Sequence, residues 1–312
     1  MPIKTIIIPA AGRGTRLMPA TKVTAKELLP VFDRVAIDFG IEEAVGAGAE
    51  RIIVVISPSK TALRTYLVPI AMGTGADNGR VGRNEKGIEI VYVYQDRPLG
   101  LGHAVQCCKT MALPGPVGVI LPDDIIMGQN CLAEMAGQYR GGHMVAAMPV
   151  RPEEAAQYGI FRINGLQADR CIPVSGMVEK PALGTEPSSL AAVGRYILDP
   201  MIFDVLEHTP PGRGGEVQLT DAIAIAGLAM PLTAFRFSGT RHDCGNHDGL
   251  LAAANAQQAT ARAADRAVPH PCAASLRRSL TPSRTVHDSA RISDRVAASA
   301  AVTAFRGQRI VV

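Results

Sequence analysis

A short glycine-containing turn near the start of the chain has the composition of a phosphate-binding loop. It reads AAGRGTRL over residues 10–17 and directly follows the apolar run KTIIIPA. Small residues let backbone N–H groups approach phosphate oxygens, and the guanidinium of Arg16 can donate two parallel hydrogen bonds to them. A glycine-rich turn that joins a strand to a helix and binds nothing is the alternative.

Two lysines, Lys22 and Lys26, follow this turn in a chain that has only seven lysines against 25 arginines. Two cations beside a loop of free N–H groups suit a triphosphate, and a solvated lysine pair is the alternative. The pattern GxGxxG fails because Leu17 stands at the third glycine, and GxxxxGK[ST] is absent. A nicotinamide dehydrogenase and a P-loop enzyme are therefore disfavoured.

Further polar residues stand beside other apolar runs. Asp123 and Asp124 directly follow VGVILP, where they are either ligands or a strand-end cap. His103, in the sequence GHA, is interpreted as a buried imidazole bonded within the fold, and it is not a candidate catalytic residue.

Five short runs rich in Val and Ile are predicted to be buried strands. They are KTIIIPA from Lys4, RIIVVISP from Arg51, IEIVYVYQ from Ile88, VGVILPDD from Val117 and HMVAAMPV from His143. The segment AIDFGIEEAVGAGAE predicts a helix between the first two runs, and QLTDAIAIAGLAM predicts a later one. This alternation predicts an α/β fold with a parallel sheet covered on both faces, and with ligands at the carboxyl ends of its strands.

Two segments lack this pattern. Residues 68–87 are rich in Gly and polar residues, which predicts a mobile loop near the ligand edge. From about Ala252 an Ala-rich helix is predicted, and PHP at 269–271 ends it. Beyond it, residues 286, 292 and 298 form a faint six-residue rhythm, which indicates either a β-helical remnant or a flexible or docking tail.

Composition restricts the class of protein. The chain has 312 residues, of which 47% are hydrophobic and 19% charged, as in globular proteins. Nine Arg against three Asp give residues 261–312 a charge of +6 within a total of +4, so residues 1–260 carry −2 and are not a nucleic-acid-binding surface. The six cysteines show no CxxC spacing, which argues against a disulfide framework or a structural zinc site. Without a signal-like or membrane-spanning run, a cytoplasmic location with no membrane partner is predicted.

From about Lys4 to Ala253, the sequence resembles the bacterial UTP–glucose-1-phosphate uridylyltransferases, a family of sugar-phosphate nucleotidyltransferases. The resemblance rests on ordered blocks along the chain: AAGRGTRLMPATK, AKELLP, QDRPLGLGHAV, LPDD, QYGIF, VEKP, AVGRYIL, GGEVQLTDAI and RHDCGNHDG. It implies a Rossmann-like mixed, mostly parallel sheet flanked by helices. The chain would then divide into a catalytic domain at residues 1–257 and an Ala/Arg-rich tail at residues 258–312.

The resemblance also implies roles for individual residues. The nucleotide would be bound by Ala10, Ala11, Gly12, Gly14, Thr15, Arg16, Lys26, Gln95 and Gly100, with Gln95 and Gly100 at the uracil edge. The sugar phosphate would be bound by Gly159, Glu179, Lys180, Val193, Gly194, Glu216 and His247. Arg16, Lys26 and Lys180 would be the catalytic cations, although a surface ion pair is the alternative for Glu179 and Lys180.

Asp123 and Asp243 match the two metal-binding aspartates of this family. Two hard carboxylates can hold one Mg²⁺ that keeps several waters and bridges phosphate oxygens. Since the attacking sugar phosphate is already an anion, the reaction needs charge neutralisation and positioning rather than a strong base.

The sequence departs from the family pattern in a few places. His247 stands where the family carries a second phosphate-binding Lys, and a neutral imidazole supplies less charge than an ammonium. Residues 34–36 read RVA in place of Lys-Pro-Leu, Arg13 replaces a usually apolar residue, and residues 24–25 read TA in place of Ile-Pro.

These departures leave three hypotheses open. The first is Mg²⁺-dependent formation of UDP-glucose and pyrophosphate from UTP and glucose 1-phosphate, by a protein that is expected to be a homo-oligomer. The second keeps the chemistry but uses another sugar 1-phosphate or dTTP. The third is a weakly active homologue with a regulatory role.

Overall fold

The computed structural model describes residues 2–70, 80–83, 87–163 and 169–267. The strands in these residues are β1 (Thr5–Pro9), β2 (Pro30–Val31), β3 (Arg34–Val35), β4 (Arg51–Ile56), β5 (Arg80–Arg83), β6 (Glu89–Tyr94), β7 (Val117–Ile120), β8 (Asp124–Met127), β9 (His143–Pro149), β10 (Gly159–Ile163), β11 (Cys171–Glu179), β12 (Leu190–Leu198), β13 (Leu232–Arg236) and β14 (Thr240–Asp243). The α-helices are α1 (Ala36–Gly46), α2 (Thr61–Ile70), α3 (Leu101–Gln106), α4 (Cys131–Gln138), α5 (Pro152–Ala155), α6 (Met201–His208), α7 (Leu219–Ala226) and α8 (His247–Ala267). Short 3₁₀ helices occupy Thr15–Leu17, Ala20–Lys22, Lys26–Leu28 and Arg213–Gly215.

Ten of these strands form one mixed sheet, in the order β10-β11-β13-β9-β12-β7-β1-β4-β6-β5. The pairs β7–β1, β1–β4, β4–β6 and β9–β13 are parallel. Following the pairings across the sheet, seven strands run in one direction, and β5, β11 and β12 run in the other. The predicted mixed, mostly parallel sheet is therefore confirmed.

The central strands are buried on both faces. Along β1, Ile6 and Ile8 belong to one core cluster and Ile7 to another, because successive side chains of a strand point to opposite faces. The first cluster includes apolar residues of α1, α2 and α4, and the second includes residues of α3, α6 and α7. Two-sided burial explains why these strands are continuous apolar runs in the sequence.

The five predicted strands are all present, as β1, β4, β6, β7 and β9, and the three predicted helices are α1, α7 and α8. The expectation of a loop over residues 68–87 is wrong for residues 68–70 and 80–83. Residues 68–70 belong to α2, and residues 80–83 form β5, which pairs with β6. Residues 71–79 and 84–86 lie outside the described residues.

The sheet brings several connections to one edge, because the carboxyl ends of parallel neighbours coincide. The segments that follow β1, β4, β6 and β7 all begin there. The antiparallel strand β12 lies beside β7, and its register against β9 shifts between Ala192 and Tyr196. This irregularity contains Val193 and Gly194, and Leu121 donates its N–H to the Gly194 carbonyl at 2.9 Å.

The chain separates into the units Met1–Ala264 and Asp265–Val312. In the second unit, only residues 265–267 are described, as the end of α8. The predicted boundary at residue 257 falls inside α8, and the division into catalytic domain and tail stays a prediction. The six-residue rhythm lies outside the described residues. No helix in the described part of the chain is long and apolar enough to cross a membrane.

Candidate functional site

The turn at residues 10–17 offers backbone donors to a ligand. Within the described residues, the N–H groups of residues 11–14 donate to no acceptor of the protein. The N–H of Leu17 donates to the Gly14 carbonyl at 3.0 Å, and Thr21 Oγ1 donates to the same carbonyl at 2.7 Å. A run of unpaired N–H groups in a tight turn forms a concavity that binds anions.

Gly14 makes this turn compatible with a neighbouring lysine. Its φ is 67°, in the left-handed region that favours glycine. A Cβ atom at this position would lie 3.1 Å from both Lys26 Cβ and Thr21 Cγ2. The glycine therefore allows the side chain of Lys26 to pass directly behind the loop.

Lys26 forms an ion pair with Asp123 across the sheet edge, between the Nζ and Oδ2 atoms. Burial by itself would lower the pKa of Lys26, but the charges of Asp123 and Glu27 outweigh it and raise the pKa. Burial would likewise raise the pKa of Asp123, yet Lys26 outweighs it and the pKa is lowered. Both groups are therefore charged at neutral pH.

A second, deeper ion pair supports the same loop. Lys60 Nζ donates to the Ala10 carbonyl and to Glu27 Oε2, at 2.7 Å in both cases. The Glu27 side chain is completely buried. Burial raises the pKa of Glu27 and lowers that of Lys60, and their mutual attraction opposes both shifts. Lys60 thus connects the start of the turn to the segment that carries Lys26.

The turn forms one wall of a cavity of about 580 Å³, here called the loop pocket. The loop pocket is lined by Pro9, Ala11, Gly12, Arg13, Thr15, Lys26, Gln95, Pro98, Gly100, Leu101, Ala104, Leu121, Asp123 and Glu216. Seven of these residues are glycine, alanine, proline or threonine, and the partly buried Lys26 contributes a cation.

Close backbone packing forms the far wall of the loop pocket. Gly100 has a φ of 102°, and a Cβ there would lie 2.7 Å from Glu216 Cβ and 2.8 Å from the Val217 carbonyl oxygen. Val217 also donates its N–H to the Leu99 carbonyl at 2.8 Å. This contact places Glu216 in the lining of the loop pocket, beside residues that were expected to bind the nucleotide.

A second cavity of about 230 Å³, here called the strand pocket, adjoins the first. The strand pocket is lined by Arg16, Leu101, Leu121, Asp123, Asp124, Gln157, Tyr158, Gly159, Glu179, Lys180, Ala192, Val193, Gly194, Tyr196, Gln218, Leu219, Thr220, Arg241 and Asp243. Leu101, Leu121 and Asp123 line both pockets, so the Asp123 carboxylate lies where the two cavities meet.

The pairing of β14 with β8 brings the two candidate metal-binding aspartates together. Asp243 lies opposite Asp124 in this ribbon, and Cys244 donates its N–H to the Asp123 carbonyl at 2.7 Å. Oδ2 of Asp243 lies 3.7 Å from Arg16 Nη1 and 3.8 Å from Arg241 Nη2.

Asp124 has a different environment from Asp123, although the two are adjacent. Its Oδ1 accepts a hydrogen bond from Arg241 Nε at 2.5 Å, and its Oδ2 accepts one from the Gly194 N–H at 2.7 Å. Arg241 in turn donates from Nη1 to the Tyr158 hydroxyl at 3.0 Å. Asp124 thus anchors the irregular part of β12 to the β8–β14 ribbon.

Glu179 and Lys180 enter the strand pocket at the end of β11. Lys180 has a φ of 44°, and its N–H donates to the Tyr158 carbonyl at 2.9 Å. Its Nζ lies 3.3 Å from Glu179 Oε1, and its side chain is 42% exposed. Gly159 lies opposite Glu179, where a Cβ would approach Thr220 to 3.1 Å. The lysine is therefore held at the mouth of the pocket by a constrained backbone.

The structure brings together most of the residues that the sequence indicated. Ala10 and Gly14 shape the turn without lining the loop pocket, and Arg16 lines the strand pocket. Val193 and Gly194 line the strand pocket as expected. His247 is exposed at the first residue of α8 and lines neither pocket.

Two residues of this site were not indicated by the sequence analysis. Lys60 had a signal, because it is one of only seven lysines and follows the carboxyl end of the second strand. No sequence pattern indicated Arg241, since its role depends on the pairing of β14 with a strand more than 100 residues earlier.

The carboxylates fit a divalent cation only if other ligands complete the site. Within the described residues, no three side chains of His, Cys, Asp or Glu cluster as a metal site would require. Mg²⁺ commonly takes one or two carboxylates and completes its shell with waters and substrate phosphates. Asp123 and Asp243, beside a phosphate-binding turn, provide such a donor set.

Comparisons with known proteins agree with this geometry. The family model described as nucleotidyl transferase matches residues 4–260. The UTP–glucose-1-phosphate uridylyltransferase of Pseudomonas aeruginosa is 38% identical over 266 residues, covering 81% of this chain and 95% of that protein. The enzyme of the same name from Bacillus subtilis (strain 168) is 39% identical over 261 residues, covering 80% and 89%. A crystal structure of UDP-glucose pyrophosphorylase complexed with UDP-glucose has a TM-score of 0.72 and 35% identity, covering 83% of this chain and 99% of that one.

Proposed function

This chain belongs to the nucleotidyl transferase family, and we propose that it forms UDP-glucose and pyrophosphate from UTP and glucose 1-phosphate. The observation that carries the proposal is the pair of adjoining pockets that share Asp123. One pocket has unpaired backbone donors and the partly buried Lys26, and the other has Lys180 at its mouth. Two phosphate-bearing substrates can therefore meet at one carboxylate.

The nucleotide would occupy the loop pocket. The free N–H groups of residues 11–14 and the Lys26 ammonium would bind the triphosphate, because both offer positive charge to phosphate oxygens. Lys26 would then exchange part of its contact with Asp123 for a contact with the phosphates. The base would lie against Gln95 and Gly100, with Glu216 beside them.

The sugar phosphate would occupy the strand pocket. Lys180 would bind its phosphate, and the Glu179 carboxylate would accept hydrogen bonds from sugar hydroxyls. Gly194 allows this wall of the pocket to pack closely, since a Cβ there would lie 2.8 Å from Asp124 Oδ2. Arg16, which lines this pocket, would lie between the two substrates.

In the reaction, a phosphate oxygen of glucose 1-phosphate attacks the α-phosphorus of UTP. The bond from the α-phosphorus to the bridging oxygen breaks, and that oxygen leaves with pyrophosphate. No general base is needed, because the attacking oxygen already carries negative charge. The chain's contribution is to align the two phosphates and neutralise them with Arg16, Lys26 and Lys180.

Asp123 and Asp243 would hold a Mg²⁺ ion at the junction of the pockets. When bound, this ion would polarise the α-phosphate and lower the repulsion between the two substrates. Since Lys26 keeps Asp123 ionised, the carboxylate is already in the state that a cation requires.

The replacement of the family lysine by His247 favours a second candidate, the same chemistry with another sugar 1-phosphate or with dTTP. Pyrophosphate release is measured with Mg²⁺ and UTP against the 1-phosphates of glucose, galactose, N-acetylglucosamine and mannose, and is repeated with dTTP. We expect the fastest release with UTP and glucose 1-phosphate. A different preferred pair would establish the second candidate, and no release with any pair would favour the regulatory hypothesis.

The predicted homo-oligomer is a separate proposal. Light scattering of the purified full chain measures its mass in solution, and a monomeric mass would contradict it.

A further inference from the structure

The side chain of Gln95 is held by two hydrogen bonds that both use its amide nitrogen. Nε2 lies 3.0 Å from the Gly100 carbonyl oxygen and 2.9 Å from His103 Nδ1. Gln95 is only 6% exposed, and it lines the loop pocket. Within the described residues, no hydrogen bond of the protein reaches its Oε1 atom.

The chemistry of these partners determines where the nitrogen and the oxygen of the Gln95 amide lie. The Gly100 carbonyl can only accept, so the atom beside it must be the NH₂ group of Gln95. The second hydrogen of that group then points to His103, whose Nδ1 must accept it and carries no proton. His103 is therefore the tautomer with its hydrogen on Nε2, and the Gln95 carbonyl oxygen is left free to accept from a ligand of the pocket that Gln95 lines.

The imidazole is rigidly placed for this role. His103 lies in α3, whose start is fixed by the hydrogen bond from the Gly102 N–H to the Val217 carbonyl at 2.9 Å. Burial lowers the pKa of His103, and the positive charge of Arg97 lowers it further. The other described contact of the ring is the Cys107 thiol, at 3.9 Å from either nitrogen. These surroundings favour the neutral ring, which can accept at Nδ1.

We infer that His103 is a positioning residue for base selection, because it holds the Gln95 amide with its carbonyl oxygen toward the nucleotide. This inference rests on the proposed function. A carbonyl acceptor at this place matches the N3–H donor of uracil or thymine. Cytosine presents an unprotonated N3 instead, so two acceptors would face each other and CTP would be rejected. The base specificity is thus set partly by a side chain that does not itself face the substrate.

The test compares three variants by the ratio of kcat/KM for UTP to kcat/KM for CTP, with glucose 1-phosphate as acceptor. His103→Leu removes the acceptor, whereas His103→Asn places an oxygen at the δ position where Nδ1 lies. Cys107→Ala is the matched control, because it alters the other contact of the same ring without touching Gln95. For His103→Leu we expect kcat/KM for UTP and the selectivity ratio each to fall roughly threefold to tenfold, the range for one hydrogen bond. His103→Asn and Cys107→Ala should stay within about twofold of the wild type on both measures.

A structural role alone would lower the rates with UTP and CTP equally, so an unchanged ratio in His103→Leu would overturn the inference. The ¹⁵N shifts of the histidine rings in the wild-type protein give a second test that needs no variant to fold well, with His103→Asn identifying the resonance. A pyridine-like Nδ1 is expected, and a protonated Nδ1 would overturn the inference.

The proposed function is judged separately, by turnover of the wild-type enzyme with UTP. If turnover is absent, calorimetric binding of UTP and CTP provides the same comparison among the variants. A wild-type protein that binds neither nucleotide would overturn both proposals.

Discussion

The loop pocket and the strand pocket bind their substrates by different means. The loop pocket presents the free backbone N–H groups of residues 11–14, and its far wall is formed by the close packing of Gly100 on Glu216. The strand pocket is lined by residues from distant parts of the chain, such as Lys180, which directly follows β11, and Arg241 of β14. Backbone sites depend on which residues are small, whereas side-chain sites depend on which residues are charged. We therefore expect the loop pocket to be most sensitive to the enlargement of a glycine, and the strand pocket to the removal of a charged side chain.

The largest effect is expected at Asp123, the carboxylate that belongs to both pockets. Asp123→Asn should lower kcat about 10³-fold, because it removes the charge that would hold the metal and pair with Lys26. Steady-state pyrophosphate release measures this, with unfolding by urea to confirm the fold. Full activity in the variant would remove Asp123 from the mechanism.

Asp124, which directly follows Asp123 in the chain, should have a different role. Asp124→Asn should act mainly on stability, at a cost of about 3 kcal/mol, because it removes the carboxylate that is hydrogen-bonded to the partly buried guanidinium of Arg241. A stable Asp124→Asn protein without activity would show that the two aspartates do not divide their roles in this way.

The next prediction tests whether the two pockets bind different substrates, UTP in the loop pocket and glucose 1-phosphate in the strand pocket. Lys180→Met should lower kcat/KM for glucose 1-phosphate roughly tenfold to hundredfold, the range for a hydrogen bond from a charged donor, and should leave the KM for UTP unchanged. Initial rates over a grid of both substrates give the two constants. An equal rise in both KM values would mean that the pockets do not bind separate substrates.

The loop pocket should instead be sensitive to a methyl group. Gly100→Ala should raise the KM for UTP about tenfold, because the added carbon would displace the 216–217 segment. Gly115→Ala is the matched control, since Gly115 also has a positive φ, of 110°, but no atom lies within 4 Å of its Cβ position. The control should lose about 1–3 kcal/mol of stability and keep its KM. Equal KM values for the two variants would attribute the effect to backbone strain alone.

The ion pair at the junction of the pockets should also affect acid stability. The pKa of Asp123 in the folded protein lies below its ordinary value of 3.8, so its stabilising contribution is complete above that value and is lost as pH falls through the folded pKa. The unfolding free energies of the wild type and Asp123→Asn should therefore converge as pH falls from 5 to 3. Urea unfolding at each pH measures both, and a constant difference would contradict the shift.

The smallest effect is expected at His247. Because this residue is exposed and lines neither pocket, His247→Lys should lower the KM for glucose 1-phosphate at pH 8 by less than about threefold, as for an exposed charge. His247→Gln is the neutral control. A KM identical in all three proteins would place the residue outside the site and withdraw its predicted role.

Much of the fold was predictable because the sequence patterns that indicate its strands and helices lie within short segments. The five apolar runs became the central strands, since burial on both faces demands continuous Val and Ile. The segment 68–87 was misinterpreted because its composition hides β5, an edge strand whose register comes from β6. Edge strands need little apolar sequence, so composition alone does not reveal them.

The two pockets also differ in how much of each the sequence indicated. The sequence indicated the turn at 10–17 because one contiguous segment carries the small residues, the arginine and the following lysines. Glu216, which the family resemblance groups with the sugar-binding residues, packs on Gly100 in the loop pocket, and its sugar-binding role stays a prediction. Its position depends on how the segment before α7 crosses the start of α3, which no residue pattern near Glu216 encodes.

The sequence by itself determined the family, the five strands and three helices that it predicts, and the residue types at the phosphate-binding turn. These properties follow from neighbours within about ten residues, whose sterics and apolar periodicity act before any long-range contact forms. Only the tertiary structure decided that Asp123 faces the pockets while Asp124 anchors Arg241, that Lys60 supports the turn through Glu27, and that His103 orients Gln95. Each of these depends on a hydrogen bond whose direction is set by packing, and packing brings together segments that the sequence keeps apart.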